Sequence, residues 1–446
     1  MRIPSLLRNE KNASLRFVLP VIGENMLTIT IGLVFSQIIS GISASALAAI
    51  GLANTVQNLV FALFSMVTTG ASVLVARRIG EGDYREASTT IEQASFLSVV
   101  CSVVISALCI LFSHPLLRLL MTNAEDALFN EAVSYFRILM LSLPCYVLHS
   151  THSAVFRSMG DGKTPLRVAI LMNIVQLGAG FALISLFHLE EIGAGLSYVL
   201  CRIAGCAFIM RALLHDHRYC AISIRRMLHV NGEACRHIVR IGAPLSVESV
   251  FVQVGYLLAN SMAIALGTAE AAVYQILNTL NAFVALPQNV TGVVGVSIVG
   301  RLIGEGHPDK ARRSGRVIWA VSLGCTLLLS GILLLFAHPV AAIYASDEAV
   351  ISAAAGIMWC LLMLNLPAAS INAIDPQLRA GGDVRFVMYS SLTAVWLIRL
   401  PMTYLFCFVF DFGVAGIFVA NTISLIYRAA LGFFRHCGSR WIKKKL

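Results

Sequence analysis

A chain of 446 residues that is 58% hydrophobic and only 13% charged, with a mean hydropathy of +0.80, cannot hide its apolar side chains in a water-soluble core, because soluble domains carry about 25% charged residues. The fitting solvent is a bilayer. The net charge of +10 would suit nucleic acid, but the basic residues are dealt out loop by loop rather than gathered into a patch, and that distribution excludes a nucleic-acid partner.

Twelve apolar runs follow one another, at about residues 15–39, 45–76, 91–113, 128–156, 165–188, 192–214, 241–266, 271–300, 314–337, 350–376, 386–410 and 413–436. Each is long enough for the roughly 20 residues that cross the hydrocarbon as a helix. Arg2, Arg8, Lys11 and Arg16 precede the first run, and Ser40–Ala44 after it has no basic residue. Arg77, Arg78 and Arg85 follow the second run, and Glu125 and Asp126 accompany Arg118 after the third. Basic and neutral or acidic loops go on alternating to Lys443, Lys444 and Lys445 at the end. Under the positive-inside rule both termini are cytoplasmic and the number of spans is even. The expected location is the plasma (inner) membrane. Nothing in the sequence demands an oligomer, so a monomer is expected. The eleven cysteines contain no C-x-x-C pair. Most lie inside apolar runs and read as small buried hydrophobes. The N-terminus shows no cleavable signal pattern.

The chain repeats itself. "VARRIGEGDYREA" (Val75–Ala87) returns as "VGRLIGEGHPDKA" (Val299–Ala311), an offset of 301 − 77 = 224. Pro20 and Pro244, Glu24 and Glu248, Asn54 and Asn278, and His114-Pro115 and His338-Pro339 keep the same register. After a slip of two residues, "FRSMGD" (Phe156–Asp161) matches "LRAGGD" (Leu378–Asp383). The expected fold is therefore an all-α integral membrane protein, with twelve transmembrane helices in two pseudo-symmetric six-helix bundles. The N-terminal lobe would cover residues 1–214, a cytoplasmic linker 215–237 and the C-terminal lobe 238–446. Six is even, so the repeats are parallel. Secondary transporters use parallel repeats to hold substrate between halves and alternate its access. The Ile-Gly-Glu-Gly phrase reads as a tight turn past a helix end, with Arg and Glu around it forming ion pairs.

"ALAAIGLANTVQNLVFALFSMVTTGASVLVARRIGEGD", "EAAVYQILNTLNAFVALPQNVTGVVGVSIVGRLIGEG", "FRSMGDGKTP", "LRAGGD" and "WLIRLPMTYL" together resemble the multidrug and toxic compound extrusion (MATE) family over nearly the full length. The resemblance implies two helical lobes around a central cavity and export of organic compounds, cationic ones among them, in exchange for Na⁺ or H⁺. No other cofactor is implied. The sequence departs from the family where a carboxylate is common. Phe35 stands at the span 1 Asp position, Leu177 four residues after Asn173 in span 5, Val252 at the span 7 Glu position and Ala369 at the span 10 Asp position.

Charges left inside the hydrocarbon require an explanation, since each costs about 3 kcal/mol or more. Glu24 and Glu248 are expected on equivalent faces of spans 1 and 7, either as titratable or cation-binding carboxylates facing a cleft or as bonded groups holding each lobe together. Asn278 shares a helical stripe with Gln275 and Asn281, as Asn54 does with Gln57 and Asn58, and such a stripe lines a cavity or bonds helices. His149 and His152 relay protons, touch substrate or pack; with no third ligand beside them a metal site is not expected. Arg202 is expected to pair with Glu24, as a fixed internal charge in place of a bound cation. Arg399 reads as structural, and Asp375 as the i,i+4 partner of Arg379.

No phosphate loop, G-x-S-x-G or H-E-x-x-H is present, so neither ATP nor a hydrolytic site drives the protein. An intramembrane enzyme would need a constellation that the residues do not supply. The expectation is a secondary active exporter whose partners are a small-molecule substrate and the lipid bilayer. The alternative is a flippase of lipid-linked oligosaccharide, which would require a strongly cationic cavity; Arg202 and Arg137 are its candidates.

Overall fold

The computed structural model describes residues 10–40, 44–118, 126–215, 222–345, 347–438 and 441. The charged positions Arg2, Arg8, Glu125, Arg218 and Lys443–Lys445 lie outside them, as does most of the loop Ser40–Ala44. Among the described residues all regular structure is helical. Among the described residues nine helices are long and apolar enough to cross a membrane, or up to eleven if two bent pairs each count as one span, and the first helix holds a shorter apolar stretch, Val18–Gly32. The twelve expected runs thus each fall on a helix or a bent pair. The chain divides into two compact units, Met1–Ser246 and Val247–Leu446.

Unit 1 contains α1 (Glu10–Ser40), α2 (Ala44–Leu63 and Ser65–Glu81, broken at Phe64), α3 (Tyr84–Leu111), α4 (Asp126–Leu141 and Leu143–Ser158), α5 (Lys163–Gly180, running on as a wider π-turn over Phe181–Leu186) and α6 (Glu190–His215). The two segments of α2 lie along the two segments of α4, and α5 packs on both α1 and α6. Phe35, Tyr135, Phe136, Leu139 and Met140 fill the core. Small polar residues bring α3 and α4 together: Ser98 and Thr151 share a hydrogen bond of 2.9 Å, and Ser106 donates to the Met140 carbonyl at 2.6 Å. The second bond has a local cause. Pro144 has no N–H to return to the carbonyl four residues back, α4 bends by 50° at this break, and the Ser106 hydroxyl satisfies the freed group.

The segment before α7 (Gly232–Ala265) is tied to α3 inside unit 1. Glu92 accepts from the Ser223 amide at 3.0 Å and pairs with Arg226 at 3.2 Å, while the Gln93 side chain bonds the His229 carbonyl and the Asn231 amide.

α7 continues into unit 2, followed by α8 (Thr268–Gly304), α9 (Pro308–Leu335), α10 (Glu348–Gly356 and Trp359–Ala380, bent by 43°), α11 (Val384–Thr393, then through wider turns to Val409) and α12 (Gly413–Cys437). α10 packs against α8, α9 and α12. Leu277, Leu280, Met358, Leu361 and Phe418 sit in its core. The buried polar stripe of α9, Ser322, Thr326 and Ser330, repeats Ser98, Ser102 and Ser106 of α3 at the offset of 224.

Many large apolar side chains stay exposed, including Val104 and Leu108 on α3 and Leu328 and Leu335 on α9. Water would not tolerate rows of this kind, whereas acyl chains solvate them at no cost, with every backbone bond kept inside the helix. The duplicated turns also share their backbone. Gly82 and Gly306 have φ of 78° and 74°, and Gly160 and Gly382 have φ of 84° and 86°. Arg77 and Glu81 pair at 3.2 Å, and Arg301 and Glu305 at 3.0 Å. The repeated phrase is therefore a left-handed glycine turn after an ion-paired helix end, used twice.

Candidate functional site

The repeat carries an ion pair in each unit. In unit 1 the Arg157 guanidinium donates to Glu24 Oε1 at 2.7 Å. In unit 2 Arg379 donates to Glu248 Oε2 at 2.9 Å. Glu24 and Glu248 stand at the offset of 224, and the two arginines, second residues of "FRSMGD" and "LRAGGD", correspond after the slip of two residues. Unit 2 extends the pair. Arg428 of α12 donates to Glu248 Oε1 at 2.5 Å, to Asp375 Oδ2 at 2.6 Å and to the Ser391 hydroxyl at 2.8 Å. Asp375 thus bonds across the unit to Arg428 and not to Arg379 one turn along its own helix, because the Arg428 fork can bridge both buried carboxylates at once.

These groups open onto a cavity of about 420 Å³ inside unit 2. Asn278 and Asn281, expected from the stripe on α8, both line it, while Gln275 one turn earlier is exposed and does not. Amides fasten the wall. Asn365 donates to Asn281 at 2.8 Å, Gln288 donates to Asn365 at 2.9 Å, and Asn372 donates to Gln288 at 3.0 Å. Apolar side chains support this chain of amides, and its members are held in place mainly by one another. The sequence reading passed over Gln288, Asn365, Asn372 and Arg428. All are polar groups at the depth of apolar runs, which was the available signal.

Unit 1 distributes its polar residues differently. Arg202 is buried on α6 and donates to Ser142 Oγ at 2.7 Å and to Gln57 Oε1 at 3.3 Å. Its Cζ lies 5.4, 5.0 and 5.5 Å from the ring centroids of Phe61, Tyr146 and Tyr198. The expected pairing of Arg202 with Glu24 is not made: Glu24 is taken by Arg157, and aromatic faces with amide and hydroxyl oxygens surround Arg202 instead. Phe35 packs edge-on against Tyr198 at 5.3 Å, and Leu177 joins the same apolar core. Asn173 is half-buried with an Nδ2 that bonds nothing, and Asn54 is half-buried on α2.

The two histidines do not act on a common partner. His152 is fully buried and shares a 2.7 Å hydrogen bond with Ser95 of α3, whereas His149 meets Ser153 at 3.3 Å on its own helix. Arg137 donates to Ser113 at 2.8 Å.

The chain matches the MatE family over residues 20–181 and 244–405, one match in each half. The uncharacterized transporter YisQ of Bacillus subtilis is 25% identical over 432 residues, which is 95% of this chain and 94% of that one. The probable multidrug resistance protein NorM of Thermotoga maritima is 23% identical, over 96% and 93% of the two chains. A solved structure described as the outward-facing conformation of a multidrug resistance MATE family transporter of the MOP superfamily has the same fold, with a TM-score of 0.89 at 20% identity, covering 97% of this chain and 96% of its own. This multi-pass membrane protein is a transporter, not an enzyme, and it belongs to the MatE family.

Proposed function

We propose that the chain is a secondary active exporter of small organic compounds, drugs among them, working by alternating access in the plasma membrane and driven by entry of H⁺ or Na⁺. One observation carries this reading: a polar cavity of about 420 Å³ lies within an otherwise apolar unit, with two carboxylates at its wall held by arginines. That volume falls within the roughly 300–1,000 Å³ of small-molecule sites. A proton or Na⁺ arriving at Glu248 has to displace a guanidinium, and such an exchange links ion entry to a rearrangement of helices α7, α10 and α12. Glu24 and Arg157 offer the same exchange in unit 1. The relatives called multidrug resistance proteins support drug export. A flippase of lipid-linked oligosaccharide gains less support. Three arginines against two carboxylates leave one positive charge in the cavity, which is little for a pyrophosphate.

The test is transport by purified protein in liposomes, with an imposed pH or Na⁺ gradient and a panel of cationic, neutral and anionic fluorescent dyes. Gradient-driven uptake of at least one dye is expected, slowed about tenfold or more by Glu248→Gln. Uptake that ignores both gradients, or that is the same in Glu24→Gln and Glu248→Gln as in the parent, refutes the coupling.

A further inference from the structure

Arg399 is 3% exposed, yet among the described residues its guanidinium makes no ion pair and no hydrogen bond, and its Nε is buried without a partner. It lines the unit 2 cavity, with its Cζ 4.3 Å from the centroid of the Tyr256 ring, which lines it too. The other two arginines there are already engaged by Glu248 and Asp375. A wide π-turn over Ala394–Arg399 ends on this residue. Its cause is Pro401, which has no N–H to give the Leu397 carbonyl, so the chain widens and carries Arg399 into the wall. The carboxylate that α7 does bring to this cavity, Glu248, is taken by Arg379 and Arg428, and Val252, one turn closer to Tyr256, carries no charge.

A desolvated guanidinium without a counter-charge is costly, and it is retained where a ligand supplies the missing anion. We propose that the unit 2 cavity binds an organic anion, whose carboxylate or sulfonate is taken by Arg399 while its apolar body lies against Tyr256. The planar fork of the guanidinium matches a carboxylate with two parallel N–H bonds. Asn278 and Asn281 on the same wall supply amide groups for neighbouring polar atoms of the ligand. A substrate with both a carboxylate and an amine fits as well, with Arg399 taking the acidic end. The assignment departs from the cationic substrates that the family resemblance suggests, and it rests on the export reading only for the claim that the bound anion is carried across.

The test is calorimetric binding to the full chain in phosphatidylcholine nanodiscs, which contain no anionic lipid to compete. The probes are 1-naphthoate, 1-naphthylmethylammonium and 1-naphthalenemethanol, which share one ring system and differ in charge. The parent is expected to prefer the naphthoate. Arg399→Gln weakens naphthoate binding about tenfold or more, the loss expected for a charged hydrogen bond, and leaves the alcohol unchanged. Arg399→Lys keeps the charge and restores binding to within about threefold of the parent. Val252→Glu adds a carboxylate to the same cavity and abolishes the preference for the anion, which covers the case in which Arg399→Gln fails to fold. A parent that binds the ammonium as tightly as the naphthoate, or an Arg399→Gln protein with unchanged naphthoate affinity, overturns the proposal. Naphthoate bound by this site but never moved by any gradient would instead refute the export reading and leave the site standing.

Discussion

Glu248 accepts from two guanidiniums and Arg428 serves two carboxylates, so removing Glu248 strands Arg379 and removing Arg428 strands Asp375. Stranding a buried charge is more damaging than losing the bond itself. Glu248→Gln is therefore expected to destabilise unit 2 by about 3 kcal/mol, whereas Glu24→Gln, half-buried and holding Arg157 only, costs about 1 kcal/mol. Thermal unfolding in detergent gives the order, and an equal loss from the two substitutions contradicts this account. The glutamates themselves were legible, because a carboxylate inside an apolar run has few innocent explanations. Arg157 and Arg379 were visible as a repeated residue near the ends of α4 and α10, but not as the partners of the glutamates, since the sequence reading gave Glu24 to Arg202 and Arg379 to Asp375. Arg428 was not legible, since it lies 180 positions from Glu248 and no local spacing joins them. Asp375 misled for the opposite reason: an arginine four residues away looks like its partner until a fork from another helix reaches it.

At the scale of the helix, the length of the apolar runs located every span but not its bends. Periodicity reports which residues share a face and says nothing of a carbonyl freed by a proline, so the 50° bend of α4 and the wide turns of α11 escaped it. The glycine turns were readable, because Gly after a helix end with charged neighbours has a backbone reason to be there. They also give a clean prediction. No atom lies within 4 Å of where a Cβ of Gly82 or Gly306 would sit, so a substitution there meets only the backbone penalty of the left-handed region. Gly82→Ala is expected to cost about 1 kcal/mol and Gly82→Asn distinctly less, as asparagine visits that region more readily. Melting temperatures of the two variants test this. Equal losses would mean that the space around the turn, not its φ, sets the cost. Dye transport by either variant should match that of the parent, because Gly82 does not line the unit 2 cavity.

The doubling of the whole molecule was legible from a constant offset, and the family match of one stretch in each half agrees with it. The divergence between halves was less so. At the offset of 224, Gln57 corresponds to Asn281, yet Gln57 holds the caged Arg202 while Asn281 joins the amide chain of an open cavity. The two amides differ by one methylene, and it is their partners that separate the two roles; partners are what a single sequence conceals. The orientation of the molecule rests on charge. We propose from the alternating basic loops that the C-terminus and the "VGRLIGEGHPDKA" turn face the cytoplasm and the loop around Asp347 faces outside. Cys437, exposed at the end of α12, and Asp347, exposed before α10, offer handles for each side. In intact cells a membrane-impermeant maleimide should leave the parent protein unlabelled and should label Asp347→Cys in a Cys437→Ser background. After the membrane is permeabilised, Cys437 of the parent should react. Labelling of Cys437 from outside would invert every loop at once, since an even number of spans ties both termini to one side.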